Sequence, residues 1–154
     1  MDEKIRTELM TQTGKTVFVF IGNDLRADDG AGPYIAKNIR NDSVKIINAE
    51  TVFENYVEEI IELKPDKIVI FDCAFFDGKP GEIKLLDENK LLNYKMISTH
   101  SFPLNALINV IKSDLKNIKV IIIGIQPESV DYKEGLSENV KKSSDEIINF
   151  INSL

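Results

Sequence analysis

A chain of 154 residues, 43% of them hydrophobic, is long enough for one domain with a substantial core. Its formal net charge of −6 argues against nucleic acid as a partner. Cys73 is the only cysteine, which rules out an internal disulfide. The start Met1-Asp2-Glu3-Lys4-Ile5-Arg6 has no apolar leader core, and no apolar run approaches the ~18 residues of a membrane span, so a cytoplasmic protein without membrane insertion is expected.

Residues Met1 to Gly14 are polar with weak periodicity and read as a short helix or a frayed arm. Thr16 to Ile21 is a continuously apolar run, β-branched and aromatic, as expected of a strand covered on both faces. Gly22 ends it in a sharp turn, and Asp28-Asp29 fall just ahead of a helix start. There, unpaired N–H groups and the positive end of the helix dipole favour acids. Gly30 and Gly32 allow another backbone or a ligand to come close, and Pro33 suits the first turn of a helix running to Arg40.

Asn41-Asp42-Ser43 is a turn, and Val44 to Asn48 a second strand. Val52 to Leu63 has one apolar face at helical spacing and is broken by Pro65-Asp66. Lys67 to Phe71 is a third strand, ending at Asp72-Cys73. Glu82 to Leu86 is a short strand too close behind it for a helical crossover, so it should run antiparallel.

Asp87 to Tyr94 reads as a short helix and Ser98-Thr99-His100-Ser101 as a polar loop. Pro103 opens a helix carrying Leu104, Leu107, Ile108, Ile111 and Leu115. Val120 to Ile123 is a fourth buried strand, followed by a loop at Gly124-Ile125-Gln126-Pro127-Glu128 and a last helix over Ser137 to Asn152. Strands and helices alternate, which predicts a single domain over 1–154, with 1–14 a possible arm. Its fold class is a three-layer α/β/α sandwich on a mostly parallel sheet of about five strands, one short strand antiparallel. Val17–Ile21, Lys67–Phe71 and Val120–Ile123 should form its centre.

In such a sheet the loops at the carboxyl ends of the strands converge, bringing together Asp29, Asp72 and His100. Two carboxylates and an imidazole suit a divalent transition metal such as nickel or zinc. Plainer roles fit the same residues. Asp28 and Asp29 can cap a helix, Asp72 can be satisfied by backbone amides, and His100 can cap the Pro103 helix. Asn23 can hold a turn, and Cys73 reads as a small buried residue more readily than as a nucleophile. H-E-x-x-H, G-x-S-x-G, G-x-x-x-x-G-K-S/T and G-x-G-x-x-G are all missing, which weakens the common zinc peptidase, serine hydrolase, P-loop and dinucleotide readings.

The stretch Gly22-Asn23-Asp24-Leu25-Arg26-Ala27-Asp28-Asp29-Gly30-Ala31-Gly32-Pro33 resembles the G-N-x-L-x-x-D-D/E-G-x-G opening of the hydrogenase maturation endopeptidases. Later blocks follow in the same order: Ile68 to Asp72, Pro80-Gly81-Glu82-Ile83, Thr99-His100-Ser101-Phe102-Pro103-Leu104-Asn105, and Gly124-Ile125-Gln126-Pro127. The last two are most similar to the hydrogenase-3-type branch.

The resemblance implies an endopeptidase, of a family often grouped with aspartic-type peptidases. Its substrate would be the precursor of a NiFe-hydrogenase large subunit, trimmed of a C-terminal extension after nickel insertion. It also implies that Asp29, Asp72 and His100 contact the nickel carried by that substrate. On this view Asp29 or Asp72 is the base for water attack, and Asn23 orients the peptide or stabilises developing charge. Whether the free enzyme keeps a metal of its own stays open, and with no oligomer signal in the sequence a monomer is expected. Where the family commonly has a glycine pair after strand two, this chain has Ala49-Glu50, whose side chains would narrow or charge that side of the cleft. Other readings are a non-catalytic nickel- or precursor-binding chaperone and a stand-alone metal hydrolase with its own zinc.

Overall fold

The computed structural model describes residues 1–11, 14–96 and 102–154. Six strands form one sheet: β1 (Thr16–Ile21), β2 (Lys45–Glu50), β3 (Lys67–Phe75), β4 (Ile83–Leu86), β5 (Lys95–Met96) and β6 (Lys119–Ile125). The order is β2-β1-β3-β6-β4, with β5 paired to β3 off that path. β2, β1, β3 and β6 are parallel neighbours, and β4 runs antiparallel to β6, as its short connection requires.

The period-two alternation of each strand divides the core into two layers. Val17, Val19 and Ile21 of β1 point to one face, with Ile68 and Ile70 of β3. That face is covered by α3 (Val57–Leu63) and α4 (Leu104–Asp114) through Ile60, Leu107, Ile108 and Ile111. Phe18 and Phe20 point to the other face with Val69 and Phe71. There α1 (Glu3–Met10), α2 (Ala31–Asn38) and α5 (Glu138–Asn152) cover them. Phe20 and Phe71, register partners on β1 and β3, stack with ring centroids 4.8 Å apart. The three predicted central strands are the central strands. Among the described residues no helix is long and apolar enough to cross a membrane.

Of the two forms expected for the amino-terminal stretch the short helix is the one observed, and three local expectations are corrected. The amino-terminal stretch is a docked helix: Asp2 caps it by accepting from the Ile5 amide at 2.8 Å, and Ile5 and Leu9 are fully buried against the sheet. The helix expected from Val52 begins as a 3-10 turn over Phe53–Tyr56 before α3, and the one after Asp87 is 3-10 throughout, over Glu88–Asn93. β3 runs four residues past Phe71, to Phe75, because β6 continues beside it to Ile125 and β5 pairs with Ala74 and Phe75. Asp72 and Cys73 therefore lie inside a strand, opposite Gly124 and Ile125, and β5 raises the strand number to six.

Candidate active site

The acid loop is built by close backbone packing at the carboxyl end of β1. Gly22 has φ +145°, and a Cβ there would lie 1.9 Å from the Asp29 carbonyl oxygen. A Cβ on Gly32 would lie 2.1 Å from the Ile21 carbonyl, so only glycine lets α2 start directly against β1. The Gly22 amide donates to the Glu50 carbonyl at 2.9 Å, tying the turn to the end of β2. Between Gly22 and α2 the chain makes a 3-10 turn over Ala27–Gly30 that carries both acids.

The two neighbouring acids, each fully buried, have different surroundings. Asp28 accepts from the amides of Glu128 (2.8 Å), Ser129 (3.0 Å) and Ser137 (2.7 Å) and from the Ser137 hydroxyl (2.9 Å). Asp29 accepts from the Asn23 amide at 3.1 Å through Oδ2, while its buried Oδ1 has no hydrogen-bond partner among the described residues. Burial pushes the Asp29 carboxyl up to about 6, against the opposing pull of the Asn23 amide and the nearby Arg26 guanidinium. A buried carboxylate oxygen with nothing to accept from is costly, and such groups cluster where a ligand completes the shell.

Asp72 is 1% exposed, and its Oδ1 accepts from the Cys73 amide at 2.7 Å. Burial, Asp72, Asp29 and Asp28 together hold the Cys73 thiol well above its ordinary value, so it stays protonated and is no nucleophile. The Ala27–Gly30 turn that carries Asp28 and Asp29 packs against β3, the strand that carries Asp72. His100 and the Ser98–Ser101 loop lie outside the described residues. Met96, the last described residue before them, pairs with Ala74, two positions beyond Asp72. Among the described residues no group of three or more His, Cys, Asp or Glu forms a metal site.

The side-chain oxygen of Asn23 accepts from the Leu25 amide at 3.0 Å and so holds the turn, the plainer of its two predicted roles. Among the described residues its Nδ2 donates to nothing. The departure at Ala49-Glu50 is smaller than expected. Ala49 is fully buried in the core beneath β2 and does not narrow the cleft. Glu50 is exposed at φ +49°, the left-handed conformation that favours glycine, beside the irregularity where β2 passes Ile21.

Two contributors escape a linear reading. Arg26 donates through Nε to the Val130 carbonyl at 3.3 Å, with its guanidinium 5.2 Å over the Tyr132 ring. The 128–137 segment, joined to the acid loop through Asp28, is the other. Only the bare presence of Arg26 inside the glycine-acid motif signals them in the sequence.

The family model of hydrogenase maturation proteases (HycI) matches residues 33–154. The hydrogenase 3 maturation protease of Escherichia coli K12 is 33% identical over 128 residues, covering 81% of this chain and 81% of that protein. The solution structure of the endopeptidase HycI from Escherichia coli superposes with a TM-score of 0.79 at 30% identity, covering 90% of each chain. The crystal structure of a NiFe hydrogenase maturation protease HycI from Thermococcus kodakarensis KOD1 gives 0.82 at 30% identity, covering 97% of each chain. With an acid-bearing loop at the carboxyl edge of an α/β/α sheet and these likenesses over most of its length, the chain belongs to the HycI family of hydrogenase maturation proteases.

Proposed function

We propose that this endopeptidase removes a C-terminal extension from the precursor of a NiFe-hydrogenase large subunit, and that it recognises nickel already inserted in that substrate. The observation that carries the proposal is the buried Asp29 carboxylate, whose Oδ1 is unpartnered among the described residues, on a turn packed against the strand that carries Asp72. A substrate metal would supply the missing partner, with Asp29, Asp72 and His100 as its contacts. Carboxylate and imidazole donors suit nickel.

In this mechanism the substrate's nickel positions the extension, and positioning alone can supply roughly 7–11 kcal/mol of a barrier. Water attacks the scissile carbonyl. The base is Asp29 or Asp72, which is the sense in which the chemistry is aspartic-type. Asp29 favours the role because its carboxyl, near 6, is ionised at neutral pH yet basic enough to take a proton. In this reading the Asn23 Nδ2 orients the peptide or stabilises the developing oxyanion. The enzyme acts as a monomer in the cytoplasm, where Cys73 stays reduced.

The test is incubation with nickel-loaded precursor, with apo precursor and with an unrelated peptide. Cleavage of the loaded form alone is the expected result, lost in His100→Ala and Asp72→Asn variants that remain folded. Tight binding without cleavage would make the chain a chaperone of the precursor. Hydrolysis of the unrelated peptide would make it a general hydrolase. Either result would reject the proposal.

A further inference from the structure

The aspartate beside the proposed base does no chemistry in this mechanism, yet it is the better-connected of the two. Asp28 is fully buried and accepts four hydrogen bonds, every one from the 128–137 strap that links β6 to α5. Ser137 stands at the amino end of α5, where a serine hydroxyl usually caps the helix. Here it makes no capping bond, and both its amide and its hydroxyl turn to Asp28. The backbones add to the join: the Asp28 amide donates to the Ser129 carbonyl at 3.0 Å, and the Ala27 amide to the Lys133 carbonyl at 2.8 Å. Arg26 completes it through the Val130 carbonyl and the Tyr132 ring. Apart from these bonds the strap is anchored by Leu136, packed against the core, while residues 131–135 are all exposed.

The join lies directly beside Asp29 in the chain. Ala27, held by Lys133, sits at φ +47°, a conformation a non-glycine residue keeps only when its surroundings impose it. Asp29 is the next residue but one, and its single hydrogen bond through Oδ2 comes back across the same turn from Asn23.

We infer that Asp28 is a positioning residue: its carboxylate latches the 128–137 strap to the acid loop, and the latch sets the Asn23–Asp29 geometry on which cleavage depends. This rests on the cleavage proposed above, so the experiment includes a reading that needs no activity. Asp28→Asn keeps the volume and removes the charge. In the folded variant the amides at 128, 129 and 137 exchange hydrogen faster, and so does the Asn23 amide, which Asp28 does not touch. In the precursor assay kcat falls by about 100-fold, the scale of a small misplacement of reacting groups, with KM changed little. Ser137→Ala, which removes a single bond and should fold even where Asp28→Asn does not, gives the same pattern at about 5-fold. The double variant loses less than the product of the two, because both cut one latch.

Unchanged exchange at Asn23 in a folded variant whose strap amides are freed would overturn the inference whether or not the precursor is cleaved. So would wild-type kcat in such a variant. A wild-type enzyme that fails to cleave would instead count against the proposed function and leave the exchange result to decide the latch.

Discussion

At the amino end of the sheet, Lys67 is fully buried, and its Nζ donates to the carbonyls of Glu8 (2.7 Å) and Thr11 (2.6 Å). At the carboxyl end, Asp29 is just as buried and keeps one oxygen without a partner among the described residues. The lysine closes the carbonyls at the end of α1, as a cation at a helix carboxyl terminus should, and so fastens the amino-terminal helix over Phe18 and its neighbours. Burial and the nearby Lys119 hold its ammonium below the ordinary lysine range, but its hydrogen bonds are made within the chain. The carboxylate bears the same kind of desolvation with a single backbone donor. A buried charge satisfied from within explains a fold. One left incomplete points to a partner outside it.

The carboxyl end is most easily disrupted at the glycines on which it depends. Gly32→Ala puts a methyl 2.1 Å from the Ile21 carbonyl, against backbone that cannot give, and should cost at least about 3 kcal/mol by denaturant unfolding. At the amino end the matching close approach, a Cβ on Gly14 2.0 Å from Asp66 Oδ2, meets a side chain that can give and not backbone.

Asp29→Asn should go the other way. The Asp29 carboxyl is raised from 3.8 to about 6, so its charged form destabilises the fold at neutral pH by about 3 kcal/mol. The sign follows from proton binding: between these values the folded state holds the proton and the unfolded state has lost it. Wild-type stability therefore falls as pH rises from about 4 through about 6, then levels off. The asparagine variant should be more stable at pH 7 and lack that slope, and a urea series across pH tests both.

In the wild type, kcat/KM for the precursor should rise as pH passes about 6, as Asp29 becomes a carboxylate. A profile flat across that region would pass the role of base to Asp72. The smallest effect belongs to the other end of the sheet. Lys67→Met loses the two bonds to α1 but also a buried charge, so stability should change by no more than about 1 kcal/mol. Hydrogen exchange in α1 should quicken while cleavage is unaltered.

How much of this could be read from the sequence follows from how local each feature is. The strands at 16–21, 67–71 and 120–123 announce themselves as apolar runs, and their central places follow from burial on both faces. Asp29 stands out because a glycine-framed acid ahead of a helix is a local pattern. The extension of β3 to Phe75 is not local, since its partners, β5 and the end of β6, lie about 20 and 50 residues further along. Nor is the docking of α1, which waits on Lys67. That Asp28 and Asp29 do different work depends on Ser137, more than a hundred residues away. Ala49 was expected to line the cleft, but the strand alternation turns it into the core. His100, the third proposed metal contact, lies outside the described residues and stands on its motif alone.

The account turns on whether the incomplete carboxylate is the one that works. The most direct measurement is the intact mass of nickel-loaded large-subunit precursor after incubation with the wild type and with Asp29→Asn, the variant first shown to be folded. The wild type should shorten the precursor by the mass of its C-terminal extension, and the variant should leave it at full length. Loss of the extension at an undiminished rate with Asp29→Asn would contradict the account.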